Sequence, residues 1–184
     1  PFPSIHFDDF LPQDVADAVW REFPSASQIA WNDLQRPSET KLLCANEQDF
    51  GPVTRQLMYQ FNSNAFVRFL EKVTGIDNLI PDPSMIGGGL HQTLRGGLLK
   101  LHADFNLHNT LKLDRRVNIL LYMNKDWQEE WGGHLELWDQ DCKRCGTKIA
   151  PTFNRLGIFS TTSVSFHGHP DPLNCPPDNS RKSI

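Results

Sequence analysis

The feature that most constrains this chain is a change of texture near residue 85. Before it, apolar residues recur at helical spacing: Val15, Ala18, Val19 and Phe23 behind Pro12, then Val53, Leu57 and Phe61 behind Pro52. A third stripe, Phe66, Phe69, Leu70 and Val73, runs up to Gly75. Proline is tolerated in a first helical turn, where its missing N–H costs nothing, and glycine suits a C-terminal cap. Beyond residue 85, short apolar stretches separated by glycine and polar turns take over, at 85–94, 98–103, 117–123, 134–138, 156–160 and 163–167. That pattern predicts an antiparallel sheet or barrel. Val117, Ile119 and Leu121 alternate with Asn118, Leu120 and Tyr122, so both faces of that strand are largely apolar. Leu135 and Leu137 alternate with His134, Glu136 and Trp138, giving one more polar face. Helices first and strands second predict an α+β fold in one domain over residues 1–184, with helical support over 1–80 and a β core over 85–184. Arg181 to Ile184 reads as the opening of one more strand. Cut off there, it would leave a ragged sheet edge, so the natural chain is expected to continue.

Charge and cysteine usage exclude several classes. The net charge is −4, from 18 Lys+Arg against 22 Asp+Glu, with no basic run to meet nucleic acid. No segment approaches the roughly 18 consecutive apolar residues of a membrane span, and no leader is visible, so a cytoplasmic location without membrane contact is expected. Four cysteines are too few for a disulfide scaffold in 184 residues. Cys142 and Cys145 have the spacing of half a zinc ribbon, but no second pair follows. A zinc site would need Cys175 or histidines brought near them by the fold. Otherwise the thiols are reduced and incidental.

One constellation carries chemistry. His102 and Asp104 are two apart, and on a strand residues i and i+2 share a face, so both could reach one ion while Ala103 points away. Two imidazoles and one carboxylate cap one face of Fe(II) and leave positions open for substrate and O₂. The third ligand must come from another strand. His167, at the end of an apolar stretch, is the leading candidate, with His134 and His169 as rivals. His169 shares the orientation of His167 only if the strand persists, and Gly168 and Pro170 argue that it does not. Arg181 lies far enough beyond His167 for a turn and a return strand that carries its guanidinium back toward the metal. Its planar fork suits the carboxylate of an anionic co-substrate.

The runs Arg116 to Trp127, Trp131 to Leu137, Pro151 to Phe159 and Ser165 to His167 resemble, in the same order, the core of the prolyl-hydroxylase branch of the Fe(II)/2-oxoglutarate dioxygenases. The resemblance covers about residues 85–184 and is weaker over the N-terminal helices. It implies a double-stranded β-helix (jelly-roll) core with support helices. It assigns His102, Asp104 and His167 as Fe(II) ligands and Arg181 as the partner of the distal carboxylate of 2-oxoglutarate. Tyr122 falls on a tyrosine that also binds that carboxylate, and Ser183, on the face of Arg181, assists. Where relatives often place a tyrosine on the strand before the His-x-Asp motif, this chain has Gln92, whose amide would contact the co-substrate. The cofactors implied are Fe(II), 2-oxoglutarate and O₂. The substrate implied is a prolyl residue in a polypeptide or free proline, with a small-molecule or glycan-linked metabolite as the alternative. A non-catalytic cupin-like binding protein would not need Arg181 and Tyr122 together. Phe105, Asn106 and His108, which follow the His-x-Asp motif, are the residues expected to meet the substrate.

Overall fold

The structure, a computed structural model, describes residues 2–184. In chain order the elements are β1 (Ser4–Phe7), α1 (Gln13–Glu22), β2 (Asn32–Arg36), β3 (Glu39–Cys44), α2 (Pro52–Phe61), α3 (Asn64–Thr74) and β4 (Leu90–Leu94). They continue with β5 (Leu99–His102), β6 (Val117–Tyr122), β7 (Leu135–Trp138), β8 (Cys145–Ile149), β9 (Arg155–Ser160), β10 (His167–His169) and β11 (Ser180–Ser183). The strands form one antiparallel sheet in the order β1-β9-β6-β11-β4-β3-β5-β10-β7-β8, with β2 added to β3. It curls into a nearly closed barrel, a double-stranded β-helix, with the three helices against its outside.

The two apolar faces of β6 follow from this position. Leu121 and Met123 pack outward with Leu156, Ile158 and Leu90 against Val19, Phe23, Leu57 and Met58 of the helical layer. Tyr122 points inward, with Leu135, Leu137, Ile149 and Phe159. Each such side chain, fully buried, stabilises the fold by about 1.5–3 kcal/mol. The helices carry the predicted punctuation. Ser63 Oγ accepts from the Phe66 N–H at the start of α3, and Gly75 ends it with φ of 69°. Pro52 opens α2, and the Glu22 carboxylate caps it from α1, accepting from the N–H groups of Val53 at 3.0 Å and Thr54 at 2.8 Å. A negative charge at a helix N-terminus is favourable.

Three expectations are corrected. The first eighty residues are not only helical support, because β1 pairs with β9 and β3 is wedged between β4 and β5. The β2–β3 hairpin was illegible because it is mostly polar and only Leu42 and Cys44 of it are buried. His167 begins a strand rather than ending one, and that strand persists through Gly168 to His169. A Cβ at Gly168 would lie 2.6 Å from the Leu99 carbonyl oxygen, so glycine is what lets β10 lie against β5 rather than what stops it. Last, β11 is not an edge. It pairs with β4 along its length and with β6 at Ser183–Tyr122, on the far wall of the barrel from β10.

Asn154 fastens the N-terminal segment to this barrel. It is 1% exposed, with φ of 58°, and its amide accepts from Leu11 N–H at 2.9 Å and donates to the Leu11 carbonyl at 2.8 Å. Its backbone N–H also donates to the Tyr122 carbonyl at 2.8 Å. Asn tolerates the left-handed region better than other residues with a Cβ. Asn154→Ala is therefore expected to strand the half-buried N–H and carbonyl of Leu11 and strain the turn, costing about 2–4 kcal/mol. Chemical denaturation with urea measures this, and a loss below about 0.5 kcal/mol would contradict it.

Candidate active site

His102 closes β5, and His167 opens β10 directly opposite it in register. Their ring centroids are 4.5 Å apart. Asp104, two residues past His102, brings Oδ1 to 3.5 Å from His102 Nε2 and Oδ2 to 3.7 Å from His167 Nε2. One ligand atom from each of the three lies within 4.8 Å of the others. Both rings are turned the same way by the backbone: His102 Nδ1 meets the Lys100 carbonyl at 2.9 Å and His167 Nδ1 meets the Ser165 carbonyl at 3.0 Å. In a neutral ring Nδ1 therefore carries the proton, and Nε2, on the side of Asp104, is the nitrogen left for a metal. Two aligned imidazole lone pairs and one carboxylate could hold a divalent ion on one face.

The electrostatics favour the liganding forms of Asp104 and His167, while the Asp104 carboxylate draws a proton to His102. Burial alone would push the Asp104 carboxyl up, but hydrogen bonding with His102 and the charges of Arg115 and His167 hold it well below the usual carboxylate range. Burial pushes His167 down to about 4, so its ring is neutral at neutral pH. Burial would also lower His102, but its hydrogen bonds to Asp104 and the Lys100 carbonyl outweigh this and raise it. Asp104 is further braced by Asn118 Nδ2, which donates to Oδ2 at 2.9 Å, and by Arg115 at 3.4 Å.

The triad opens into a cavity of about 510 Å³ whose lining also includes Arg181, Ser183, Phe105 and His108. Arg181 is 6% exposed. Its Nε donates to the Gly133 carbonyl at 2.7 Å and its Nη2 to the Tyr122 hydroxyl at 3.3 Å, and the guanidinium lies 5.0 Å from the Tyr122 ring centre. These partners are neutral, and among the described residues no carboxylate compensates the charge. A buried cation left in this state is costly unless an anion meets it. Because the Tyr122 oxygen accepts from Arg181, its own O–H remains free to donate, and burial pushes its pKa up so that it stays a phenol. Gly133 makes the arrangement possible: with φ of 73°, a Cβ there would sit 3.0 Å from Arg181 Cδ and 2.7 Å from Leu173 Cδ2.

The fold thus brings His102, Asp104, His167, Arg181, Tyr122 and Ser183 into one region. It does not bring Gln92. Across β4 and β11, Arg181 pairs with Thr93, so Thr93 and His91 face the cavity and Gln92 points the other way, its amide donating to Ser180 Oγ at 2.8 Å. Phe105 reaches the rim, where the Arg115 guanidinium lies 4.6 Å from its ring centre. Asn106 is exposed and outside the lining. His108 lines the wall, but its nitrogens are turned into the protein: Nδ1 accepts from Leu111 N–H at 3.0 Å, and Nε2 faces Asp82 at 3.7 Å. Among the rivals for the third position, His134 lies outside this cavity, whereas His169 lines it without joining the cluster. Cys142 and Cys145 are free, and among the described residues they join no cluster able to hold a metal. Asn118, Thr93 and Gly133 were missed, and no local spacing signalled them, whereas His169 was weighed only as a rival for the third position.

The chain is similar to several known proteins. The mouse prolyl 3-hydroxylase OGFOD1 is 27% identical over 173 residues, which is 91% of this chain and 29% of that protein. The chain therefore spans less than a third of the length of that relative. A Pseudomonas putida prolyl-4-hydroxylase superposes with a TM-score of 0.63 over 99% of this chain and 89% of that one, at 17% identity. A Trichoplax adhaerens prolyl hydroxylase, solved in complex with a peptide of the hypoxia inducible factor oxygen degradation domain, gives 0.60 over 98% and 80%, at 16% identity. Among the described residues no helix is long and apolar enough to cross a membrane. The family model described as the 2OG-Fe(II) oxygenase superfamily matches residues 88–184, more than half of the chain, and with the fold it shows that this protein belongs to that superfamily.

Proposed function

We propose that this chain is an Fe(II)- and 2-oxoglutarate-dependent hydroxylase acting on a prolyl residue of a polypeptide. The observation that carries the reading is Arg181, a buried guanidinium without a carboxylate partner, opening into the same cavity as a His-Asp-His face. His102, Asp104 and His167 would hold the iron, and Arg181 with Tyr122 and Ser183 would hold the distal carboxylate of 2-oxoglutarate. When bound, iron and co-substrate supply the oxidising power of O₂ for insertion of oxygen into a C–H bond, with release of succinate and CO₂. The protein's part is to hold the three ligands rigidly, compensate the co-substrate's charge and keep the barrel interior dry.

The mouth of the cavity supports a polypeptide over a sugar-like metabolite. Ile80, Ile86, Phe105, Leu111 and Leu113 line it and are exposed. Arg115, the cation nearest the ligands, is already engaged by Asp104 and the Phe105 ring. An apolar rim buries the side chains that flank a target residue in a chain, and it offers little to a polyhydroxylated ligand. The kinship with prolyl hydroxylases points to proline within such a segment. The test is mass spectrometry of proline-containing peptides, free proline and sugar-linked metabolites incubated with protein, Fe(II), 2-oxoglutarate and O₂. Gain of one oxygen on a prolyl residue in a peptide with apolar flanks is expected. Oxygen gain confined to a sugar-linked metabolite would overturn the substrate assignment.

A further inference from the structure

His169 is a buried polar side chain for which the proposed ligand set has no use. It lies two residues past His167 on β10, in register with Leu99, and is 4% exposed. Its ring lines the cavity, and its Nδ1 is enclosed without a hydrogen-bond partner among the described residues. Arg181, Lys41 and His102 line the same cavity. Lys41 is already neutralised by Glu39 at 2.9 Å, so of these side chains the guanidinium of Arg181 is the cation without a counter-charge among the described residues.

A neutral imidazole has one proton to place. An enclosed N–H without an acceptor costs more than an enclosed lone pair that merely lacks a donor, so the proton belongs on Nε2, the nitrogen left to serve the cavity. In one cavity with an unpaired arginine, a neutral donor of this kind matches one oxygen of a carboxylate whose other oxygen is taken by the guanidinium fork.

We propose that His169 is a co-substrate-positioning residue, donating from Nε2 to the distal carboxylate that Arg181 pairs with. This inference rests on the reading of Arg181 as the 2-oxoglutarate anchor. It adds a donor that the His-x-Asp…His…Arg pattern does not specify, on the strand that carries the third ligand. His169 therefore sets selectivity for a five-carbon dicarboxylate over shorter 2-oxo acids.

The experiment is anaerobic calorimetric titration of Mn(II)-loaded protein with 2-oxoglutarate and, separately, with oxalate, which offers chelating oxygens and no distal carboxylate. His169→Phe keeps the ring volume and removes the donor, and His169→Gln restores an N–H at a similar reach. For His169→Phe the expected result is a 10- to 100-fold weaker affinity for 2-oxoglutarate, the scale of one hydrogen bond to a charged group. Oxalate and Mn(II) affinities are expected to stay within about threefold of wild type, because neither ligand touches the Arg181 end. His169→Gln should recover most of the lost affinity. Wild-type protein that binds Mn(II) but not 2-oxoglutarate would sink the Arg181 reading itself. Wild type that binds 2-oxoglutarate, with His169→Phe binding it equally well, would overturn this inference alone. Equal loss of 2-oxoglutarate and oxalate would also overturn it, since His169 would then act on the metal side.

Discussion

Replacing Arg181 with methionine is expected to weaken 2-oxoglutarate binding by at least about 100-fold while leaving the protein as heat-stable as before, or more so. The two halves of this result have one cause. In the free protein the guanidinium is buried against a carbonyl and a phenol, with no counter-charge to lose. Removing it strands no anion, methionine fills the space of the stem, and water in the cavity can reach the freed oxygens. In the proposed complex the same group would carry the main charge-charge interaction with the distal carboxylate, so its loss would leave that carboxylate desolvated and unpaired. Arg181→Lys keeps the charge but not the fork and should fall between. Calorimetry with Mn(II)-loaded protein gives the affinity, and a thermal melt gives the stability. A variant that unfolds, or one that binds 2-oxoglutarate as tightly as wild type, would each contradict the account of this residue.

Asp104→Ala has the other large expected effect. It removes the only carboxylate of the His-Asp-His face, and the loss of divalent-ion affinity should exceed about 100-fold, because even the partners that merely orient ligands contribute 10–100-fold. Asn118 supplies the scale for that comparison. It donates to Asp104 Oδ2 from β6, a strand that pairs with neither β5 nor β10, and touches neither imidazole by any hydrogen bond seen among the described residues. Asn118→Ala should therefore weaken the metal by about 10–100-fold, less than Asp104→Ala, with the fold intact in both. Equilibrium dialysis against Mn(II) measures the order. If Asp104→Ala bound the ion as well as wild type, the ligand assignment would be wrong.

The helices and the central strands were legible because their apolar spacing is local. Val53, Leu57 and Phe61 announce α2 whatever lies beyond them, and the doubly apolar β6 announces a strand covered on both sides. The β2–β3 hairpin was not legible, since its pairing with β4 and β5 is a long-range choice made by a mostly polar segment. The same distinction holds in the site. His102 and Asp104 share a face by strand geometry alone, so their convergence could be read from spacing. That Thr93 rather than Gln92 faces the cavity depends on the register of β4 against β11, about ninety residues away in the chain, and a slip of one residue reverses the face. Arg181 does line the cavity, on a strand that follows His167 as expected, but that strand lies between β4 and β6, a neighbourhood that no local spacing announces.

The central claim is that one cavity holds both the metal and the 2-oxo acid. It is tested most directly by visible absorption of the protein with Fe(II) and 2-oxoglutarate under anaerobic conditions. A weak charge-transfer band that requires both additions, and that is lost in Asp104→Ala, is the predicted result. Wild-type protein that shows no band, and no affinity for 2-oxoglutarate in the presence of the metal, would contradict the claim.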